Sequence, residues 1–168
     1  MKYFKKITQI LFLFLLYINT AYSNDSIAFI DMDFIIRNSN IGKIVLKKIE
    51  DQNNKNISIL KKNDEILKDI EKNIIGKKNV ISKEVFDKEV VIFREKVHNF
   101  QLEKDKIVND FNNFKRNELE NVFKKINPII NTYVEKNSID LLLEKKNILI
   151  GRKDLNLTNK ILEEINSK

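Results

Sequence analysis

The sequence predicts an α+β chain in which a long antiparallel helical hairpin, a coiled-coil arm, projects from a small β body that oligomerisation completes. Three observations carry that expectation. Only three Gly and one Pro punctuate 168 residues, too few for the turns of an all-β sandwich or a Rossmann domain, so long helices are the default. A zone of helical period runs from about Ile41 to Asn127 with a heptad stripe on each half. Short, β-prone apolar runs occur on either side of that zone.

The composition also excludes much chemistry. Without cysteine there is no disulfide, thiolate zinc site or cysteine nucleophile. His98, the single histidine, rules out a multi-histidine metal site and a Ser-His hydrolase, and it flanks a helical stripe as an ordinary surface residue. Asp31 and Asp33 have no further ligands at a spacing a metal requires. No nucleotide or other cofactor motif is visible, so neither an enzyme nor a cofactor is expected. An arginine-rich helix face and an aromatic platform are both missing, which argues against nucleic acid as a partner.

Residues 1–23 combine Lys2, Lys5 and Lys6, a short apolar run from Ile7 to Ile18, and the small residues of Ala21-Tyr22-Ser23. This reads as a secretory signal peptide cut after Ser23, the run falling short of the ~20 residues a membrane-spanning helix needs. Its removal leaves 28 basic against 24 acidic residues, a net +4. Ile27-Ala28-Phe29-Ile30-Asp31 then reads as a strand.

The arm is expected over residues 41–127. Steps of four and three residues give Leu46, Ile49, Asn53, Asn56, Leu60, Asn63, Leu67, Ile70 and Ile74 on the outgoing helix. The return helix gives Phe86, Val90, Phe93, Val97, Phe100, Lys104, Ile107, Phe111 and Phe114. Gly76-Lys77-Lys78-Asn79 separates the two stripes, and Ser82 can cap the return helix with Glu84 in its first turn. A fold-back with its tip near 76–81 sets at one level residues whose numbers sum to 156 or 157. Gly42 then faces Phe114, and Asn53 faces Lys104 in a hydrated layer expected to act as a hinge. The arm would be about 55 Å long, with ~36 residues per helix at ~1.5 Å each.

Residues 24–40 and 128–168 form the discontinuous body. Ile139 to Leu143 and Ile148 to Ile150, joined by Glu144-Lys145-Lys146-Asn147, read as a β-hairpin ended by Gly151. Pro128 is expected to kink or restart the helix where arm meets body. A last helix from about Thr158 to Ile165 takes Asn156 or Thr158 as its cap. Strands as apolar on both faces as Leu141-Leu142-Leu143 and Ile148-Leu149-Ile150 need partner chains to cover them, so a homo-oligomer follows.

These residues in this order resemble the Skp/OmpH family of periplasmic chaperones. The likeness rests on Ile27 to Met32, on Ser82-Lys83-Glu84 opening the return helix, and on Ile139 to Leu143 followed by Asn156-Leu157-Thr158 and Ile161 to Asn166. It spans essentially the whole chain after residue 23, with Asn156 where the family usually has Asp. The resemblance implies a homotrimer with a barrel-like β body, three arms around a central cavity, and ATP-independent holding of unfolded outer-membrane proteins in the periplasm. On that footing Ile57, Ile59, Ile66, Val91, Ile92 and Val108, which lie off the stripes, are candidates for a client-facing surface. Phe93 and Phe100 join them because their expected mates, Asn63 and Asn56, are polar. Lys72, Lys77, Lys78 and Lys83 make a basic tip that an acidic client or an anionic membrane surface would attract. A structural coiled-coil spacer or an envelope adhesion protein remains the competing reading.

Overall fold

The computed structural model describes residues 26–168, so the expected signal peptide at residues 1–23 lies outside the described residues. The chain runs β1 (Ile27–Ile30), α1 (Met32–Asn38), α2 (Asn40–Lys77), α3 (Lys83–Lys136), β2 (Leu141–Glu144) and α4 (Thr158–Asn166). Two short 3-10 turns, Lys145–Asn147 and Lys153–Leu155, lie between β2 and α4.

β1 and β2 pair in parallel, Ile27 opposite Leu141 and Ile30 opposite Glu144. A parallel pair needs a crossover rather than a tight turn. Here the crossover is the two long helices. On its other edge β1 meets the segment before α4, where the Leu157 N–H donates to the Phe29 carbonyl at 2.9 Å. That double flanking explains why Ala28, Phe29 and Ile30 are all buried although the sheet has only two strands. Ile35, Ile36, Val122, Ile126, Ile130, Leu157, Ile161 and Ile165 complete one core beneath it.

Three local devices hold this core in place. The Asp31 carboxylate caps α1, accepting from the Phe34 N–H at 2.9 Å, and also takes the Lys145 ammonium at 3.0 Å. Those two donors hold its carboxyl below the usual carboxylate range, the backbone N–H being the larger cause. At the corner between α1 and α2 the buried Ser39 accepts from the Gly42 N–H at 3.1 Å. α3 ends in a Schellman motif, with Ile139 N–H to the Val134 carbonyl and Ser138 N–H to the Glu135 carbonyl. Ser138 supplies the positive φ, 50°, that such a cap requires and that glycine usually provides.

The expected β-hairpin does not form. Lys145–Asn147 closes a 3-10 turn in which the Ile148 N–H donates to the Lys145 carbonyl, and Ile148 to Ile150 belongs to no strand. The favoured tight hairpin turns need positive φ, which none of residues 144–147 adopts. Pro128 does not restart the helix, because α3 is continuous through it to Lys136. Its ring faces solvent, while Ile126 and Ile130 on the core side lock the helix before and after it. The cap of α4 is Leu157 rather than Asn156 or Thr158. Asn156 still serves that end, because its Oδ1 accepts from the Thr158 N–H at 3.0 Å. The Thr158 hydroxyl in turn accepts from the Asp31 N–H at 2.9 Å, tying α4 to the end of β1.

Candidate functional site

α2 and α3 run antiparallel and form the arm. Both heptad stripes face inward. Every outgoing position from Leu46 to Ile74 is buried or half-buried, and so is every return position from Phe86 to Phe114 except Val97 and Lys104, which are exposed. Ser82 caps α3 as its sequence suggests, accepting from the Val85 N–H at 3.4 Å.

The register differs from the expected one. Lys48 pairs with Glu118, Asn63 with Glu103 and Lys77 with Glu89, and each pair of numbers sums to 166 rather than 156 or 157. Lys48 also stands 5.5 Å over the Phe114 ring. A stripe stepping by three and four residues returns to the seam after slides of seven, ten or eleven, so stripe phase cannot choose between such registers. The turn decides. α2 runs through Gly76 to Lys77, placing the reversal at residues 78–82. Asn53 and Lys104 therefore do not share a level: Asn53 is half-buried and Lys104 points to water. Nor is Gly42 small to accept Phe114. A Cβ there would come 1.8 Å from the Ile36 carbonyl oxygen, so the α1–α2 corner itself demands glycine.

Of the candidate surface residues, Ile57, Ile59, Ile66, Val91, Ile92 and Val108 are all exposed, while Phe93 and Phe100 are half-buried. The shifted register gives both rings apolar neighbours. Phe100 shares one groove of about 250 Å³ with Ile66, Leu67 and Ile70, and Phe93 shares the next, about 220 Å³, with Ile70, Ile74 and Ile92. Ile57, Ile59, Val91 and Val108 line neither groove. Between Ile49 and Ile74 on α2, and before Val122 on α3, no side chain is fully buried. The middle of the arm is thus two helices with a half-wet seam and aliphatic side chains on its outside.

At the tip Lys72, Lys77, Lys78 and Lys83 are all exposed, but Lys77 is held by Glu89 at 3.0 Å. Ile75, Val85 and above all Val80, 82% exposed, stand among them. Single aliphatics in a lysine-rich turn carry no periodic signal, so the sequence pattern around Gly76 does not mark them. A second exposed apolar site lies at the body end, where Leu149 and Ile150 are 98% and 89% exposed. No group of acidic or histidine side chains among the described residues is placed to hold a metal.

The family model described as Outer membrane protein (OmpH-like) matches residues 26–165. Among solved structures, a candidate outer membrane chaperone (OmpH-like) from Caulobacter crescentus CB15 superposes with a TM-score of 0.76 at 13% identity, covering 84% of each chain. At that identity the likeness speaks for the fold. No curated protein matches the sequence.

Proposed function

The chain belongs to the OmpH-like outer membrane protein family, and on that premise we propose that it is an ATP-independent periplasmic holdase for unfolded outer-membrane β-barrel proteins. The single observation that carries the reading is the exposed aliphatic surface along the mid-arm, on stretches of α2 (50–73) and α3 (83–121) that bury no side chain fully. Each such side chain contributes on the order of 1 kcal/mol when a client covers it partly. Several weak contacts of this kind hold a chain without dictating its conformation. Ile57, Ile59, Ile66, Val91, Ile92, Phe93, Phe100 and Val108 are the contacts proposed.

In this reading residues 24–40 and 128–168 form the body, with Val122 and Ile126 from the base of the arm packed into its core, residues 41–127 form the arm, and three copies join through their bodies so that the arms surround a cavity. The exposed Leu149 and Ile150 support the need for partner chains. Flexing of the arm is placed at its polar seam positions, Asn53 on one helix and Lys104 on the other, as separate weak points. Lys72, Lys78 and Lys83 at the tip steer acidic clients or touch an anionic membrane surface, through a field that salt screens over ~8 Å. Replacing these three with Gln slows client capture at low salt and leaves it unchanged at high salt; equal rates at both would remove the steering.

The deciding experiment is an aggregation assay without ATP on the mature protein, with its mass measured by light scattering. A trimer that suppresses aggregation of several unrelated unfolded barrel proteins at stoichiometric ratios is expected. Binding of one defined partner only, with no suppression, would overturn the reading in favour of a coiled-coil spacer or adhesion protein.

A further inference from the structure

We propose that one flank of the arm carries a two-socket site for an extended peptide whose apolar side chains lie three residues apart with an acidic residue between them. The inference deepens the holdase reading and rests on it. The sockets are the two grooves centred on Phe100 and Phe93. At about 250 and 220 Å³ they fall below the ~300 Å³ at which small-molecule sites begin and suit single side chains.

Charge picks out the partner. Lys96 lines both grooves and makes no ion pair among the described residues. Its neighbours one turn away on α3 are Ile92, Phe93, Asn99 and Phe100, none of them acidic. Of the acids that border the grooves, Glu89 is paired with Lys77 at 3.0 Å, while Glu103, which accepts from the Asn63 amide at 3.1 Å and keeps its charge, stands seven residues from Lys96, about 10.5 Å along the helix. An ammonium left between two apolar sockets matches a carboxylate between two apolar side chains.

Spacing picks out the conformation. Phe93 and Phe100 are seven residues apart, which is about 10.5 Å along a helix at ~1.5 Å per residue. A polyproline II chain returns to the same face every three residues, about 9.3 Å at ~3.1 Å each. A β-strand presents one face at about 6.7 or 13.4 Å and fits less well. Polyproline II is a major conformer of unfolded chains, so an unfolded client offers the fitting shape without prior folding.

The test uses three fluorescent 12-residue peptides on the mature protein, followed by anisotropy at low salt. Their cores are Phe-Asp-Ser-Phe, Phe-Asp-Phe and Phe-Lys-Ser-Phe. The first is expected to bind about tenfold tighter than the second, whose second ring cannot reach its socket. It should bind about threefold to fivefold tighter than the third. Lys96→Gln, an exposed change, should equalise the Asp and Lys peptides while leaving the circular dichroism melt in place. Equal affinities for all three peptides, or an Asp preference that survives Lys96→Gln, overturn the proposal. The same preparations in the aggregation assay separate the two failures. Suppression with equal peptide affinities removes the sockets alone, and absence of suppression removes the holdase reading and the sockets with it.

Discussion

Body and arm are built from the same residue types, yet they bury them to different depths. In the body Ile35, Ile126 and Ile161 are completely enclosed, because a sheet and three helix segments converge on them. In the arm Leu60, Leu67 and Phe100 reach only half-burial, because a two-helix hairpin covers one stripe per helix and leaves both flanks open. Stability is thus concentrated where the chain ends and its crossover meet, and apolar surface is concentrated where stability is least. The proposed holdase reading requires that separation, since a holding surface cannot also be the protein's own core.

Paired substitutions can break or sharpen this contrast. Ile126→Ala in the body should cost about 2–5 kcal/mol in denaturant unfolding, whereas Leu60→Ala in the mid-arm should cost about 1 kcal/mol, having less contact to lose. Similar losses at the two sites would erase the distinction. The two helical glycines divide the same way. Gly42→Ala should destabilise by about 1–3 kcal/mol because its Cβ collides with the Ile36 carbonyl. Gly76→Ala, with open space around its Cβ, should stabilise by about 0.5–1 kcal/mol.

The smallest effect is electrostatic. Asp31→Asn keeps a cap but loses the charge facing Lys145 and the α1 N-terminus, at about 0.5 kcal/mol. The Asp31 carboxyl is held below its unfolded-state range, so its contribution is full above about pH 4 and is lost as pH falls beneath that. Wild type and variant should therefore converge in acid and separate at neutral pH. A gap that persists into acid would show that shape rather than charge sets the difference.

Periodicity made much of this legible. The two stripes, the Ser82 cap, the strand at Ile27 and the final helix all follow from local pattern, and the structure places them accordingly. What local pattern could not give were long-range choices. The register differs by nine or ten residues because heptad phase is degenerate. The stripe pattern sets Gly42 against Phe114, because its true neighbour, the Ile36 carbonyl, is a backbone atom with no side-chain signature. Ile148 to Ile150 carries strand-like residues, but a strand needs a ladder partner and the described residues provide none. Lys96 escaped notice because a lone lysine in a lysine-rich helix means nothing until the apolar grooves beside it are known.

Hydrogen exchange on the mature protein, with and without an unfolded outer-membrane barrel protein, tests the central claim most directly. The client is expected to add protection in the mid-arm, over residues 52–66 and 92–108, while the already protected amides around Ile126 and Ile161 stay as they were. Added protection confined to the body, with the mid-arm exchanging as fast as before, would contradict it.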